Sequence, residues 1–222
     1  EHNGLSAFGE EVVKEMNRLG IMVDVSHASD DVFFDAIALS EAPIIATHSN
    51  ARSVTEHQRN MSDEMLRLMA ENGGVVQMTL LSSYLRDEPP NPERSAALEE
   101  LRSSMKSVSE MSPEERAERR LAFNEINEKF PTPSATVKHV VDHIDHMVSI
   151  AGIDHVGIGC DFDGGGGIDG VFDASEVMNI TIELVRRGYS EEDIEKIWGK
   201  NVMRVFEEVQ KVAEVMQARA LS

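Results

Sequence analysis

Four short apolar runs, separated by amphipathic helical stretches, constrain this chain more than any other feature. The runs cover residues 21–27, 43–48, 75–81 and 155–160, and all are rich in Val and Ile. A run that is apolar throughout, without alternating polar positions, reads as a strand covered on both faces. Strands alternating with helices predict a parallel α/β fold, because parallel neighbours need a crossover connection. The helices announce their own ends. One opens near Ser6, carries Val12, Val13, Met16 and Leu19 on one face, and stops at Gly20. Ser29 caps a second over 30–39, and a third runs over 62–72 and closes at Gly73. Thr136 opens a helix whose apolar face is Val137, Val140, Val141, Ile144, Met147 and Val148. A capping box from Ser190 to Asp193 opens another, and the last starts near Asn201.

A doubly wound sheet could be made from four strands, but no Gly-rich phosphate loop follows the first run. The polar residues favour a (β/α)8 barrel of the TIM type. His27, His48 and Asp161 all stand at or just past the C-terminal ends of runs, where barrel enzymes assemble their sites.

The 222 residues suffice for one sizeable core, and the reading is a single domain over 1–222. Residues 82–133 are a charged helical excursion on the barrel rim, entered through Pro89, Pro90 and Pro92. A formal charge of −19 makes nucleic acid and anionic membrane surfaces poor partners. The one cysteine, Cys160, excludes an intrachain disulfide framework and any multi-cysteine metal site. No apolar run approaches the ~18–20 residues of a membrane span. The chain opens Glu1-His2-Asn3-Gly4 without an initiator methionine, so a processed or incomplete product is expected.

Two histidines at equivalent ends of consecutive strands can converge on one point. Each alone reads equally as a buried residue satisfied by a carbonyl; together, without cysteines, they suit Zn2+ or a similar ion. Arg59, in the loop after the second run, is either a solvated charge or a bidentate grip on a carboxylate. His57 beside it reads as surface. Asp161 and Asp163 flank Phe162 ahead of four glycines, and a turn explains them as well as a site does. A calcium loop started at Asp161 would need glutamate where Phe172 stands. A carboxylate at Asp161 could ligate metal, move a proton or hold an ammonium group. His139, His143 and His146 fall opposite the apolar stripe of their helix and read as exposed.

Taken in order, these segments resemble the renal-type (membrane) dipeptidases. The resemblance is carried by Gly4-Leu5-Ser6-Ala7-Phe8-Gly9, Asn17-Arg18-Leu19-Gly20, Asp24-Val25-Ser26-His27 and Ala46-Thr47-His48-Ser49. It continues through Arg59-Asn60, Gly159-Cys160-Asp161-Phe162-Asp163-Gly164, Gly199-Lys200-Asn201 and Arg204-Val205-Phe206. It covers nearly the whole chain and is weakest over the charged excursion. It implies a (β/α)8 barrel with two zinc ions that hydrolyses dipeptides through a metal-bridging hydroxide. His27 and His48 would be ligands of one zinc, and Arg59 would bind the substrate carboxylate. Asp161 would hold the free amino group and share in proton transfer, as the catalytic carboxylate.

The family's His-x-Asp zinc pair, its bridging glutamate and a substrate-contacting histidine upstream of Gly4 have no match here, and His2 lacks the right context. The expectation is therefore that the N-terminal half of the barrel is a missing partner of this chain. Within enzymes the rival is a related barrel hydrolase acting on a lactone, a β-lactam or a cyclic amide. Outside them it is a catalytically incompetent half-barrel. The remaining expectations are a soluble bacterial enzyme, cytoplasmic or periplasmic, and a homodimer by family analogy.

Overall fold

A computed structural model describes residues 3–107 and 110–220; His2 lies outside the described residues. The chain divides into two compact units, one of residues 1–87 and 135–222, the other of residues 88–134.

The first unit is built on a small parallel sheet of β1 (Ile45–Ala46), β2 (Val75–Thr79) and β3 (Val156–Cys160), in the order β1-β2-β3. Val75, Val76, Met78 and Thr79 of β2 are buried, as expected for a strand covered on both faces. The run over 21–27 is a strand only in part. It meets β1 through a single parallel bridge, Asp24 to Ile45, with the Ile45 amide donating to the Val23 carbonyl and the Val25 amide to that of Ile45. The reason is local. The Asp24 carboxylate accepts the Ser26 amide at 2.9 Å, which turns the chain out of the extended form before His27.

The helices are α1 (Ala7–Leu19), α2 (Asp30–Leu39), α3 (Asp63–Asn72), the short α4 (Ser82–Leu85), α5 (Pro92–Ser104) and α6 (Pro113–Lys129). They continue as α7 (Val137–Ala151), α8 (Met178–Arg187), α9 (Glu191–Glu195) and, after a π turn over Lys196–Lys200, α10 (Asn201–Ala220). Their ends follow the sequence signals. The hydroxyls of Ser6, Ser29 and Ser62 accept the amides of Gly9, Val32 and Met65. Gly20 and Gly73 close α1 and α3 in the left-handed region, at φ 75° and 82°. Phe33, Leu66, Met69, Val76, Met78, Ile144 and Met147 belong to one buried cluster that α2, α3 and α7 share with the sheet. Among the described residues, no helix is long and apolar enough to cross a membrane.

The second unit is a helical pair. α5 packs on α6, Arg94 donates to the Asn127 side chain at 3.0 Å, and Ser112 with Glu115 forms a capping box. No described residue of either helix is buried, which follows from how few large apolar side chains they carry.

The three histidines of α7 do not share one exposed face. His139 accepts the Thr136 amide in the capping box, and His146 meets Asp63 at 2.7 Å. His143 is fully buried. Its Nδ1 accepts the Ala51 amide at 3.1 Å, and its Nε2–H donates to the Leu85 carbonyl at 3.2 Å. Both nitrogens are used only by a neutral ring. Burial pushes the His143 pKa down from 6.5 to about 4, with the Leu85 hydrogen bond opposing.

The unfolded chain binds that proton near pH 6.5 and the folded chain only near pH 4, so stability falls as pH drops through this window. At 1.36 kcal/mol per pKa unit the loss is about 3 kcal/mol. Urea denaturation across pH 7 to 4.5 should show this slope, and His143→Gln should flatten it between pH 6.5 and 5, above most carboxylate titration. His27 and His57, also shifted down, leave a smaller residual slope of the same sign. An unchanged slope in the variant would remove His143 as its source.

Candidate functional site at the strand ends

Parallel strands bring their C-terminal ends to one side, and the chemistry-bearing residues collect there. His27 closes the first run, His48 lies two residues past β1, and Asp161 directly follows β3. Backbone strain collects there too. Of four described non-glycine residues with positive φ, three are His27 (70°), Cys160 (35°) and Asp161 (65°). Such conformations persist only where neighbours hold them, and they cluster at functional sites.

For Asp161 the neighbours are visible. Its carbonyl accepts the amides of Gly164 (3.2 Å) and Gly166 (2.7 Å), curling the glycine loop back on it. The pairing of β2 with β3 slips just before this point. Met78 faces Ile158 but Thr79 faces Cys160, so Gly159 is the extra residue. A Cβ on Gly159 would land on the Thr47 carbonyl oxygen. That close approach sets the end carrying Asp161 against the end carrying His48.

The two imidazoles meet edge to face, with ring centroids 4.9 Å apart and planes at 62°. Partial desolvation, then the charge of Arg59 and the neighbouring His48 ring, lower the His27 pKa, against Asp161 and Asp24, which raise it. His27 thus lies within electrostatic reach of every other predicted site residue. Two imidazoles on one tetrahedral zinc, with Zn–N about 2.0–2.1 Å, have centroids about 5 Å apart, so this pair fits part of a zinc donor set. Among the described residues, no group of three or more His, Cys, Asp or Glu is placed to hold a metal.

Arg59 is the residue of this group with unmet bonding capacity. It is half-buried, and its Nε and Nη2 are shielded from solvent without a hydrogen-bond partner. Nη1 reaches the Tyr84 hydroxyl at 3.4 Å, and the guanidinium carbon lies 5.4 Å from that ring's centroid. Unpaired buried donors on a charged group are costly, and a planar carboxylate answers two guanidinium nitrogens at once.

His57 is not a surface residue. Its ring stacks on Tyr84, with centroids 4.2 Å apart, and its Nδ1 accepts the Arg59 amide at 3.1 Å. Burial, and next the Arg59 charge, push its pKa down. Asn60, buried, donates to the carbonyls of Thr55 and Tyr84 at 2.9 and 2.8 Å and ties the arginine loop to α4. Sequence reasoning missed Tyr84 altogether. It sits in the excursion's first residues, 25 positions from Arg59, and its one local signal is an isolated aromatic in a polar stretch.

A small parallel sheet among helices is a fold shared with solved metallopeptidases. The chain belongs to the membrane dipeptidase family, peptidase family M19, whose family model matches residues 1–220. It is 34% identical over 213 residues to dipeptidase tcpJ of Claviceps purpurea, covering 96% of this chain and 40% of that protein. The probable dipeptidase PvdM of Pseudomonas aeruginosa superposes with a TM-score of 0.80 at 38% identity, over 95% of this chain and 56% of that one. A metallo peptidase of Rhodobacter sphaeroides, liganded with a phosphinate mimic of the dipeptide L-Ala-D-Ala, gives 0.70 at 29%, over 93% and 48%. The chain thus spans about two fifths of that curated relative and about half of each of those structures.

The approach of Gly159 to Thr47 gives a direct test. Gly159→Ala should destabilise the protein by about 2–3 kcal/mol, because the added methyl meets backbone that has no rotamer to yield. Gly199→Ala, where nothing lies within 4 Å and φ is outside the left-handed region, controls for the loss of a glycine. Equal denaturation midpoints in the two variants would contradict the close approach.

Proposed function

We propose that this chain forms part of a (β/α)8 barrel in a zinc-dependent dipeptidase that hydrolyses the peptide bond of a dipeptide. The observation that carries the reading is Arg59, with two buried, unpartnered guanidinium nitrogens close enough to act on His27. That is a carboxylate subsite beside a pair of metal-type imidazoles. His27 and His48 would hold one zinc, which supplies a water of lowered pKa and a polarised scissile carbonyl when bound. Arg59 grips the substrate's terminal carboxylate in bidentate fashion, backed by Tyr84 and aimed by His57. Asp161 meets the free ammonium group and moves a proton at its carboxylate oxygens. An anion-binding group at one end and a cation-binding group at the other fix a substrate two residues long. The Rhodobacter relative, solved with a mimic of L-Ala-D-Ala, supports a dipeptide as substrate class. A lactone offers Arg59 no carboxylate, which disfavours that alternative.

The test is steady-state kinetics on the zinc-loaded protein at full family length. Dipeptide hydrolysis should disappear with a chelator and return with zinc. His48→Ala should lose at least about 100-fold in kcat/KM and bind less zinc. Arg59→Ala should raise KM about 10–100-fold with little change in kcat, the loss expected for a charged hydrogen bond of about 1.5–3 kcal/mol. The unmodified enzyme should also prefer a dipeptide to its C-terminal amide, and Arg59→Ala should erase that preference. Equal turnover of acid and amide by the unmodified enzyme would refute the carboxylate clamp.

A further inference from the structure

We infer that Asp24 and Thr47 are positioning residues that anchor both histidine-bearing strand ends and fix His48 as the Nδ1–H tautomer, leaving the lone pair on Nε2. The first part is carried by the Asp24 carboxylate. Its Oδ1 accepts the amide of Ser26 at 2.9 Å and that of Thr47 at 3.1 Å. Ser26 immediately precedes His27, and Thr47 immediately precedes His48. One oxygen thus ties together the residues ahead of the two imidazoles, which belong to different strands. The Ser26 hydroxyl adds a second tie by accepting the His48 amide at 2.9 Å.

The tautomer follows from counting hydrogens. Asp24 Oδ2 lies 2.6 Å from the Thr47 hydroxyl, and a carboxylate offers only lone pairs, so the threonine hydrogen is committed to Asp24. The same hydroxyl oxygen lies 2.7 Å from His48 Nδ1 and has only a lone pair left to give. Nδ1 must therefore carry the hydrogen, and in a neutral ring Nε2 then carries the lone pair. Thr47 is branched at Cβ and its amide is also held, so the hydroxyl has little rotamer freedom. This is the carboxylate–histidine pairing common behind metal-ligating imidazoles, relayed here through one hydroxyl.

The tautomer assignment stands on hydrogen bonds alone; only its consequence for zinc rests on the reading of His48 as a ligand. The experiment is long-range 1H–15N correlation of the imidazole nitrogens in the metal-free 222-residue chain, above the titration of the ring. His48 should show a protonated Nδ1 and a lone-pair Nε2. Thr47→Val, nearly isosteric but without the hydroxyl, should shift the population toward the Nε2–H form, and Thr47→Ser should restore it. A wild-type ring in the Nε2–H form, or a Thr47→Val ring unchanged from wild type, would overturn the inference. Zinc competition against a chelator, on the protein at full family length, is read separately. Thr47→Val should weaken zinc about 10–100-fold. If His48→Ala binds zinc as tightly as wild type while the tautomer result holds, the ligand reading of His48 fails and the positioning role of Thr47 remains.

Discussion

The parallel alignment of the strands is the constraint on which the site depends. Each crossover returns the chain to the same starting edge, so His27, His48 and Asp161 come together only because their strands all end on one side. Where the ladder is regular, register alone sets the spacing: Val76 faces Val156 and Gln77 faces Gly157. Near the ends regular pairing gives out, and side chains take over. Asn50, fully buried, accepts the Thr79 amide at 2.9 Å and donates to the Thr79 carbonyl at 3.2 Å, as a strand backbone would. Asp24 substitutes for missing ladder bonds at the first run in the same way. The sheet is short, and its C-terminal rim is assembled from side chains imitating backbone.

That substitution leaves room for strain and for unmet bonding capacity. Left-handed φ values at His27 and Asp161 and unpaired nitrogens on Arg59 all disfavour the folded state. They are opposed by hydrogen bonds and packing around them. The glycine loop satisfies the Asp161 carbonyl twice, Asn60 fastens the arginine loop to α4, and Tyr84 covers the guanidinium. Two of the unpaired atoms lie on Arg59 itself, and the surrounding loop is secured by short, buried hydrogen bonds.

Helix ends and strand positions were legible in the sequence because their determinants lie within a few residues. A serine accepts an amide three positions on, a glycine follows the last turn, and a β-branched run marks each strand. His27, His48 and Asp161 were legible as strand-end polar residues for the same reason. Whatever depends on distant partners was not. His143 pairs with Ala51 across 92 positions, and helical periodicity assigned it to the exposed face of α7, on which it does not lie. His57 looked like surface because the ring that covers it, Tyr84, comes from a segment whose composition suggested a charged excursion on the rim. The first strand was overcalled because apolar content cannot register that Asp24 would spend its carboxylate on the amides of Ser26 and Thr47.

The buried His143 explains how an irregular loop is kept in place. The stretch from Ala51 to Asn60 holds no helix or strand, so its backbone groups need partners from elsewhere. A hydrophobic residue at 143 would fill the same space but leave the Ala51 amide and the Leu85 carbonyl buried without partners. The neutral imidazole satisfies both with one donor and one acceptor on a rigid ring, so it fixes the distance between them as well. Ala51 opens the loop that carries Arg59, and Leu85 closes the turn that carries Tyr84. The helix core thus reaches the arginine and its aromatic backing through a single side chain. Its desolvation is tolerable because the ring, with its pKa lowered to about 4, stays neutral at neutral pH.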